Sequence, residues 1–439
     1  MNRTFIILIT VLFLLIIIGL SIALAIVLRQ QKSSVTLTSF HNNDMIFPQN
    51  WGARYKDRLA NASSTLVRIA VIGDSVTAGS YVSSQYPNAS GTSYTSILRS
   101  VLQEKYGFGG SGFTSVSQSQ IGFGNTPYAP SVTPFPIRAT GSWYTLYQQY
   151  AAPASCYISS TLMNDYVDMY TSGKNIVLTY MSGPVADFSS SASITITDNN
   201  TGMQVTPIVS TLNTQNSNVT MPTCSEIVLA NNLSSTGEYT VRITNNDANK
   251  ALAICGIAGV NDVGVTIDIM AMPGQSAYII DQTKSWTLSS NSADLVIFAL
   301  GLNDTDTTTN AQWSQLLQNA AAAFKGKDVM FLALPLAGYS ETWRSNNVYG
   351  ASHIDLSKAF ATDMGYSFLN LDGLTSSNFD TLVRMQYLST GTGPSGSPMC
   401  LSTPPPGTAG ASSSTSNAVH PGDTGNKLIA WSILPFLDP

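Results

Sequence analysis

"LVRIAVIGDSVTAG", residues 66–79, is the stretch that decides the fold. Its first half is short, rich in β-branched residues and almost entirely apolar, which is typical of a strand buried inside a parallel sheet. Gly73, Asp74 and Ser75 follow directly. Ser75 therefore stands where the predicted strand ends, and the question is whether it acts as a nucleophile.

Helix-like and strand-like segments alternate along the chain after this motif. A helix is predicted over 92–107, where Ile97, Leu98 and Val101 share one face and Gly107 can end the helix. Later in the chain the alternation resumes, with strands predicted at 293–300, 328–335 and 366–373 and helices at 310–326, 353–365 and 423–434. Strands that alternate with helices predict a parallel sheet covered on both faces.

The central region, about 136–264, has a different pattern and contains no convincing amphipathic helix. In "GEYTVRIT" the apolar residues Tyr239, Val241 and Ile243 alternate with polar ones, as in a half-buried strand. Several short strands at this spacing predict a β-sandwich inserted into the α/β domain, because α/β signals lie on both sides. A pair of disordered loops is the alternative. A long loop rich in Pro, Gly, Ser and Thr follows much later, at 389–416.

The first thirty residues form a separate segment. Phe5–Leu28 contains no charged residue, and as a helix it would be about 36 Å long, enough to cross a bilayer core of about 30 Å. A cleaved signal peptide is the alternative, but its apolar region is usually only about 7–15 residues long. We therefore expect a transmembrane signal-anchor over 1–29, a polar stalk over 30–61, and the bulk of the chain extracellular, lumenal or on a particle surface.

Composition limits the classes of partner. The 439 residues carry a net charge of −5, only 10% are charged, and no basic run occurs, which argues against nucleic acid. None of the four cysteines has the CxxC spacing typical of zinc sites. Outside the cytosol the four could form two disulfides, and four buried thiols are the alternative. Five sequons predict glycosylation, although chance matches are common in so Asn-rich a chain; they lie at Asn61, Asn88, Asn199, Asn218 and Asn232.

Polar residues follow two of the predicted strands and precede the last helix. Ser75 follows the first strand, Asn303 in "GLND" follows the second, and His420 in "NAVHPGDTG" precedes the helix at 423–434. The carboxyl ends of parallel strands open on one edge of a sheet, so these side chains can meet there. A serine needs an adjacent base to become nucleophilic, and acyl transfer needs donors aimed at the oxyanion. Of the other histidines, His41 lies in the stalk and His353 is expected to be solvated at the start of a helix.

These blocks resemble those of the SGNH or GDSL-type hydrolases. Gly73-Asp74-Ser75 resembles the nucleophile block, Gly301-Leu302-Asn303-Asp304 the Gly-x-Asn-Asp block, and His420-Pro421 the histidine block, while Gly274 is a weaker match to the glycine block. The resemblance implies a flavodoxin-like three-layer α/β hydrolase domain built from 62–135 and 265–439, with a jelly-roll-like β-sandwich inserted at 136–264.

The resemblance also implies the roles of the site residues. Ser75 would be the nucleophile, His420 the general base, and the backbone amides of Ser75 and Gly274 with the Asn303 side chain the oxyanion hole. The family's acid usually lies three residues before the histidine, and here that residue is Asn417. A Ser–His dyad oriented by Asn417 or a main-chain carbonyl, a weak enzyme, or another carboxylate would each be consistent with this departure. No cofactor and no metal is implied.

Family members with a β-sandwich in this interval remove O-acetyl groups from polysaccharides, and "EKYGFGGSGF" (104–113) resembles those enzymes. We therefore expect a membrane-anchored carbohydrate O-acetylesterase. The alternatives are a lipase or general carboxylesterase, and a non-catalytic glycan-binding or attachment protein on an esterase scaffold. Trp143, Tyr144 and Tyr147 are candidates for stacking on sugar rings, or else for packing at the domain junction.

Overall fold

The structure is a computed structural model, and it describes residues 44–79, 82, 91–116, 136–147, 150–290, 292–304, 308–334, 350–374, 421 and 423–438. The chain divides into two compact units, Met1–Asn43 and Asp44–Pro439, and all of these residues belong to the second.

The described residues form strands β1–β18 and helices α1–α8. The strands are β1 Met45–Ile46, β2 Leu66–Gly73, β3 Gly112–Ser115, β4 Ile137–Thr140, β5 Tyr144–Tyr147, β6 Cys156–Ser160, β7 Tyr166–Ser172, β8 Asn175–Ser182, β9 Ala192–Asp198, β10 Gln204–Val205, β11 Thr211–Leu212, β12 Thr223–Ala230, β13 Glu238–Asn245, β14 Leu252–Val260, β15 Gly264–Ala271, β16 Leu295–Ala299, β17 Asp328–Ala333 and β18 Ser367–Asn370. The helices are α1 Ala53–Ala60, α2 Tyr94–Tyr106, α3 Ala277–Gln282, α4 Trp286–Ser290, α5 Asn310–Ala323, α6 Gly350–Met364, α7 Leu371–Leu374 and α8 Asp423–Leu437.

Five parallel strands form the centre of the larger sheet, in the spatial order β15-β2-β16-β17-β18. Because β2 comes first in the chain and β15 second, this is the flavodoxin-like order 2-1-3-4-5. Neighbouring residues of a strand point to opposite faces, and both Val71 and Ile72 are fully buried. Both faces of the sheet are therefore covered, as the uninterrupted apolar run of β2 predicts.

The two helical layers are identified by their contacts. Side chains of α3, α4, α5 and α6 share one core cluster with Ile72, Val296 and Phe298 of the sheet. Helix α2 packs on β15 and on α8, and Tyr55 Oη of α1 donates a 3.0 Å hydrogen bond to Leu437 O of α8. The structure therefore has the predicted three-layer α/β arrangement, with helices on both faces of the sheet.

The predicted helix after the nucleophile motif is confirmed, and so is Gly107 as the residue that ends it. Ser93 Oγ accepts a hydrogen bond from Ser96 N, which caps the start of α2. Gly107 follows the last helical residue with φ of 98°, a conformation that side chains other than glycine's disfavour.

Two sheets occupy the central region. One is antiparallel, with the order β10-β9-β13-β7-β4 and with β11 paired to β9. The other contains β5, β6, β8, β12 and β14, and it is continuous with the parallel sheet because β14 pairs with β3, which pairs with β15.

The two sheets enclose a common apolar core. In β13 the residues Tyr239, Val241 and Ile243 are buried while their neighbours are more exposed, which confirms the alternation seen in the sequence. They share the core with side chains of the facing sheet such as Leu178 and Ile254. Two packed sheets are thus present, while the bounds 136–264 of a separate inserted domain and its jelly-roll-like character stay predictions.

The segment predicted as a stalk overlaps this fold. Strand β1 pairs with β18, Trp51 and Tyr55 are buried, and Trp51 Nε1 donates a 2.8 Å hydrogen bond to Val329 O. Residues from Met45 onward therefore belong to the α/β layers rather than to a solvated stalk. The predicted membrane helix, Phe5–Leu28, lies outside the described residues, and within those residues no helix is long and apolar enough to span a membrane.

Candidate active site

Ser75 lies on a tight turn directly after β2. Asp74 organises this turn, since its Oδ1 accepts a 2.9 Å hydrogen bond from Val76 N and its main-chain oxygen accepts one of 2.9 Å from Ala78 N. Gly73 is required by a close approach, because a Cβ there would lie 2.0 Å from Thr77 Oγ1. Ser75 itself is 6% exposed. The turn thus places Ser75 at the carboxyl end of the parallel strands.

Gly274 lies on the loop that follows β15, next to this turn. Met272 N donates a 3.2 Å hydrogen bond to Gly73 O, so the loop is joined to the end of β2. Gly274 has φ of +74°, and Gln275 N closes the turn on Met272 O at 3.0 Å. The weakest of the sequence matches therefore falls on a turn with a glycine at positive φ, in a loop that is hydrogen-bonded to the end of β2.

Asn303 and Asp304 follow β16 and bind the same loop. Asn303 Nδ2 donates a 2.9 Å hydrogen bond to Gln275 O. The carboxylate of Asp304 accepts hydrogen bonds from Ala277 N at 2.9 Å and from Tyr278 N at 3.0 Å, which fixes the start of α3. No role for Asp304 was predicted from the sequence, although its position beside Asn303 in "GLND" was the signal for one.

The three loops converge because of the strand order. Gly73 lies level with Ala271 of β15 on one side and with Ala299 of β16 on the other. The order reverses between β2 and β16, and a crevice forms where strand order reverses in such sheets. Ser75, Gly274 and Asn303 are thus brought to one edge of the sheet by the fold itself.

His420 and Asn417 lie outside the described residues, and the chain is described again at Pro421. Asn426, in the first turns of α8, donates from Nδ2 to Pro421 O at 2.9 Å and accepts at Oδ1 from Tyr94 N at 2.9 Å. The residue after His420 is therefore attached to the helix that follows the nucleophile turn. Asn426 could not be recognised from the sequence, because a single asparagine inside an apolar helix belongs to no recognisable motif.

A carboxyl group with an altered pKa lies next to the candidate nucleophile. Burial raises the pKa of Asp74 to about 7, and the charge of Asp304 adds to this, while hydrogen bonds from the main-chain amides of Val76 and Thr77 oppose it. Asp74 is fully buried, and its Oδ2 has no hydrogen-bond partner among the described residues. The carboxyl is thus partly protonated near neutral pH.

His353 is buried, so the prediction that it is solvated is wrong. It is 2% exposed and stacks on Trp313 with ring centroids 4.6 Å apart and an interplanar angle of 10°. Burial lowers the pKa of His353 to about 4. The side chain is a neutral part of the core between α5 and α6, and the sequence showed only its place at a helix start.

The structure bears on the alternatives left open for the aromatic side chains and the cysteines. Trp143 is buried in the core of the two sheets, so it packs in the protein interior rather than stacking on sugar. Tyr144 is 42% exposed, and the side chain of Tyr147 lies outside the described part.

The cysteines that the structure describes are free thiols, namely Cys156, Cys224 and Cys255, and Cys400 lies outside the described residues. No group of three or more His, Cys, Asp and Glu side chains in the described ranges is placed to hold a metal ion.

Comparison with solved structures identifies the class of fold. A structure described as a peptidoglycan O-acetylesterase in action superimposes with a TM-score of 0.54 at 14% identity, over 88% of this chain and 95% of that one. A family two carbohydrate esterase from Cellvibrio japonicus matches with a TM-score of 0.25 at 10% identity, over 69% and 96% of the two chains. A lipase/acylhydrolase from Enterococcus faecalis matches with a TM-score of 0.28 at 14% identity, over 40% and 76%.

No protein-family model matches the chain, and no curated protein matches its sequence. The chain shares its overall fold with the solved peptidoglycan O-acetylesterase, over nearly the whole length of both chains. At 14% identity this similarity concerns the fold, and it is consistent with the SGNH or GDSL-type fold that the sequence resemblance predicts.

Proposed function

We propose that the protein is a serine ester hydrolase that removes O-acetyl groups from carbohydrate, with Ser75 as nucleophile and His420 as general base. One observation carries the proposal: the loops after β15, β2 and β16 bind one another through the Met272–Gly73 and Asn303–Gln275 hydrogen bonds. A nucleophile and two kinds of oxyanion donor thereby share one edge of the sheet.

The reaction follows from these groups. Ser75 Oγ attacks the ester carbonyl carbon while the imidazole of His420 takes the hydroxyl proton, and the carbonyl oxygen becomes an oxyanion. The amides of Ser75 and Gly274 and one Nδ2 hydrogen of Asn303 donate to that oxygen. The tetrahedral intermediate expels the sugar alkoxide, which receives the proton from His420, and water then hydrolyses the acetyl-enzyme by the same steps.

The amide of Asn417, at the position where the family usually has a carboxylate, affects how well His420 can act as a base. An amide does not stabilise an imidazolium as a carboxylate does, and Asp→Asn in the corresponding role of a serine protease costs about 10⁴ in kcat. The proposal is therefore a Ser–His dyad whose imidazole is oriented by neutral groups.

The carbohydrate substrate is supported by two features. The solved peptidoglycan O-acetylesterase is similar over 88% of this chain, a span that can be reached only if the central β-sheets are included. Those sheets lie in the interval where sugar-binding β-sandwiches occur in the enzymes that the sequence resembles. The apolar segment Phe5–Leu28 would hold the catalytic domain at a membrane surface outside the cytosol.

The experiment compares small and polymeric esters. The full chain in mild detergent should hydrolyse p-nitrophenyl acetate faster than the butyrate and octanoate esters, and should release acetate from an O-acetylated polysaccharide. Ser75→Ala should abolish all of these activities and also labelling by a fluorophosphonate, with Ser432→Ala on α8 as the matched control. Equal activity of Ser75→Ala and wild type would refute the proposal, and a preference for octanoate would favour the lipase alternative.

The attachment-protein alternative gives a different result. A wild-type chain that binds acetylated polysaccharide, releases no acetate and is not labelled by fluorophosphonate would be a glycan-binding protein on an esterase scaffold.

A further inference from the structure

Strands β3 and β15 form a sparsely paired junction in the large sheet. The two strands share a single register pair, at Thr114, and β3 pairs on its other side with β14 of the central region. Carbonyl groups of β15 beyond that pair accept hydrogen bonds from helix α2 instead. Arg99 Nη2 donates to Ile267 O at 2.7 Å, and Gln103, one turn later, donates from Nε2 to Val265 O at 2.8 Å. Helix α2 thus inserts polar side chains into the junction.

Arg99 carries a charge inside the protein. It is 1% exposed, and its Nε and Nη1 have no hydrogen-bond partner among the described residues. Burial lowers the pKa of Arg99 to about 10, and the charge of Asp268 opposes this, so the guanidinium remains protonated at neutral pH. A buried charge is unfavourable unless a group of opposite charge contacts it.

The carboxylate of Asp268 does not fill this need, because other groups occupy it. Its Oδ2 lies 2.7 Å from Arg68 Nη2 and accepts from Arg68 Nε at 2.9 Å, and its Oδ1 accepts from Phe113 N at 2.8 Å. Side chains alternate between the faces of a strand, and Met270, two residues further on, packs in the core shared with α3–α6. Asp268 therefore faces that layer, whereas Arg99 approaches from α2 on the other face.

A hydroxyl group lies on the same face as Arg99. Thr114 is fully buried, and its Oγ1 has no hydrogen-bond partner among the described residues. Its neighbour Phe113 packs on the side of α3–α6, so Thr114 points to the side of α2. Thr114 is level with Ile269, two residues from the carbonyl of Ile267 that Arg99 binds, and two residues of a strand span about 6–7 Å. Because a hydrogen bond is about 3 Å long, one small acceptor between the two side chains can contact both.

We propose that Arg99 and Thr114 form an internal binding site for a halide ion such as chloride, which stabilises the junction between the parallel sheet and the central region. The Nε, Nη1 and hydroxyl groups can all donate to an anion, and one monovalent ion neutralises the guanidinium, which a water molecule cannot do. A fully buried position favours a compact ion over a larger oxyanion. Neither residue belongs to the proposed catalytic site, so the anion site is independent of ester hydrolysis.

Thermal melts of the full chain in mild detergent test the site. An ion that binds only the folded chain raises Tm by mass action. Between about 5 mM and about 500 mM chloride, with sodium gluconate keeping the ionic strength constant, the wild-type Tm should rise by at least about 2 °C. Gluconate screens surface charges but is too large for an interior site.

The arginine variants assign this rise to one guanidinium. It should be absent in Arg99→Met and kept in Arg242→Met, the matched control, because Arg242 is exposed and both of its bonding nitrogens donate to Asp168 at 2.7 Å. A wild-type Tm that does not respond to chloride would overturn the proposal, and so would an equal rise in Arg99→Met.

Thr114→Val tests the hydroxyl without removing the charge. Valine has nearly the same shape and cannot donate, so the chloride concentration at half of the full Tm rise should increase severalfold. At low chloride the variant should be at least as stable as the wild type, because a buried hydroxyl without a partner is unfavourable. A chloride dependence identical to that of the wild type would overturn the assignment of Thr114 to the site.

Crystals of the wild type grown in bromide give a measurement that needs no variant, should Arg99→Met fail to fold. An anomalous difference peak is expected within hydrogen-bond distance of Arg99 Nε or Nη1. A map without a peak there would overturn the proposal. A peak in a protein whose Tm does not respond to halide would mark an adventitious ion only, and would overturn it as well.

Discussion

The side chain of Asn303 donates a 2.9 Å hydrogen bond from Nδ2 to the main-chain oxygen of Gln275, and so ties the end of β16 to the loop after β15. An asparagine amide has two hydrogens, and this contact uses one. In the proposed mechanism the second hydrogen would donate to an oxyanion that also accepts from the amides of Ser75 and Gly274. Because the first bond already fixes the amide plane, that role would need little reorganisation when charge develops on the substrate oxygen.

Asn303→Ala should therefore lower kcat by roughly 10²–10³, the usual effect of removing one oxyanion donor, with a small change in KM. Steady-state hydrolysis of p-nitrophenyl acetate measures both constants. Asn200→Ala, at an exposed asparagine in the turn between β9 and β10, is the control and should behave as wild type. A loss of less than threefold in Asn303→Ala would show that this side chain is not an oxyanion donor.

Local pattern was enough to predict the parallel sheet and the placement of Ser75 and Asn303 directly after two of its strands, whereas Gly274 was identified through the family resemblance. The apolar run of β2, the alternation in β13 and the glycine after α2 each reflect interactions between residues close in sequence. Contacts between distant residues were not predictable in this way. Asn426 and Tyr94 meet only because α2 and α8 pack together, and His353 is buried only because Trp313 lies on the neighbouring helix.

The buried carboxyl of Asp74 should make stability depend on pH. Its pKa is about 7 in the folded chain against 3.8 for a free side chain, so between these values the folded state holds a proton that the unfolded state has released. The free energy of unfolding should therefore fall as pH rises from about 4 to about 7, by up to about 1.4 kcal/mol per pH unit from this group.

Asp74→Asn keeps an acceptor for Val76 N and does not titrate, so it removes this dependence. Urea unfolding at several pH values should show that the free energy of unfolding of the variant rises relative to that of the wild type between pH 4 and 7. Above pH 8 the difference between the two proteins should be constant. A difference that stays constant from pH 4 to 7 would show that Asp74 is ionised throughout.

His353 should have the opposite effect on the free energy of unfolding, over a similar range of pH. Its pKa is about 4 in the folded chain against 6.5 for a free side chain, so below pH 6.5 the unfolded state binds the proton more readily. The stability contributed by the neutral ring is complete above pH 6.5 and is lost as pH falls toward 4. His353→Phe keeps an aromatic ring against Trp313 and should resist acid better than wild type, measured as the urea midpoint at pH 7 and pH 4.5. An equal loss of stability in both proteins over this range would contradict the buried, neutral state of His353.

Asn417→Asp should hold or raise kcat, because a carboxylate at that position would favour the imidazolium of His420. Asn417→Ala should have a modest effect and His420→Ala a severe one, all measured on p-nitrophenyl acetate at pH 8. If Asn417→Ala lost as much activity as His420→Ala, the amide itself would be essential to the reaction.

Trp143 and Tyr144 are adjacent on the chain but should respond differently to substitution. Trp143 is 5% exposed, and its Nε1 donates to Thr140 O at 3.2 Å, so Trp143→Ala should lower the free energy of unfolding by about 3–5 kcal/mol. Tyr144 is 42% exposed, so Tyr144→Ala should change it by less than about 1 kcal/mol. Urea unfolding measures both values, and Tyr144→Ala is the matched control for the loss of an aromatic ring.

If Tyr144 contacts sugar, its variant should keep full activity on p-nitrophenyl acetate and lose several-fold activity on an acetylated polysaccharide, because stacking would hold the polymer near Ser75 without taking part in the chemistry. An equal loss on both substrates would place the effect in the fold, and no loss on either would exclude Tyr144 as a sugar contact.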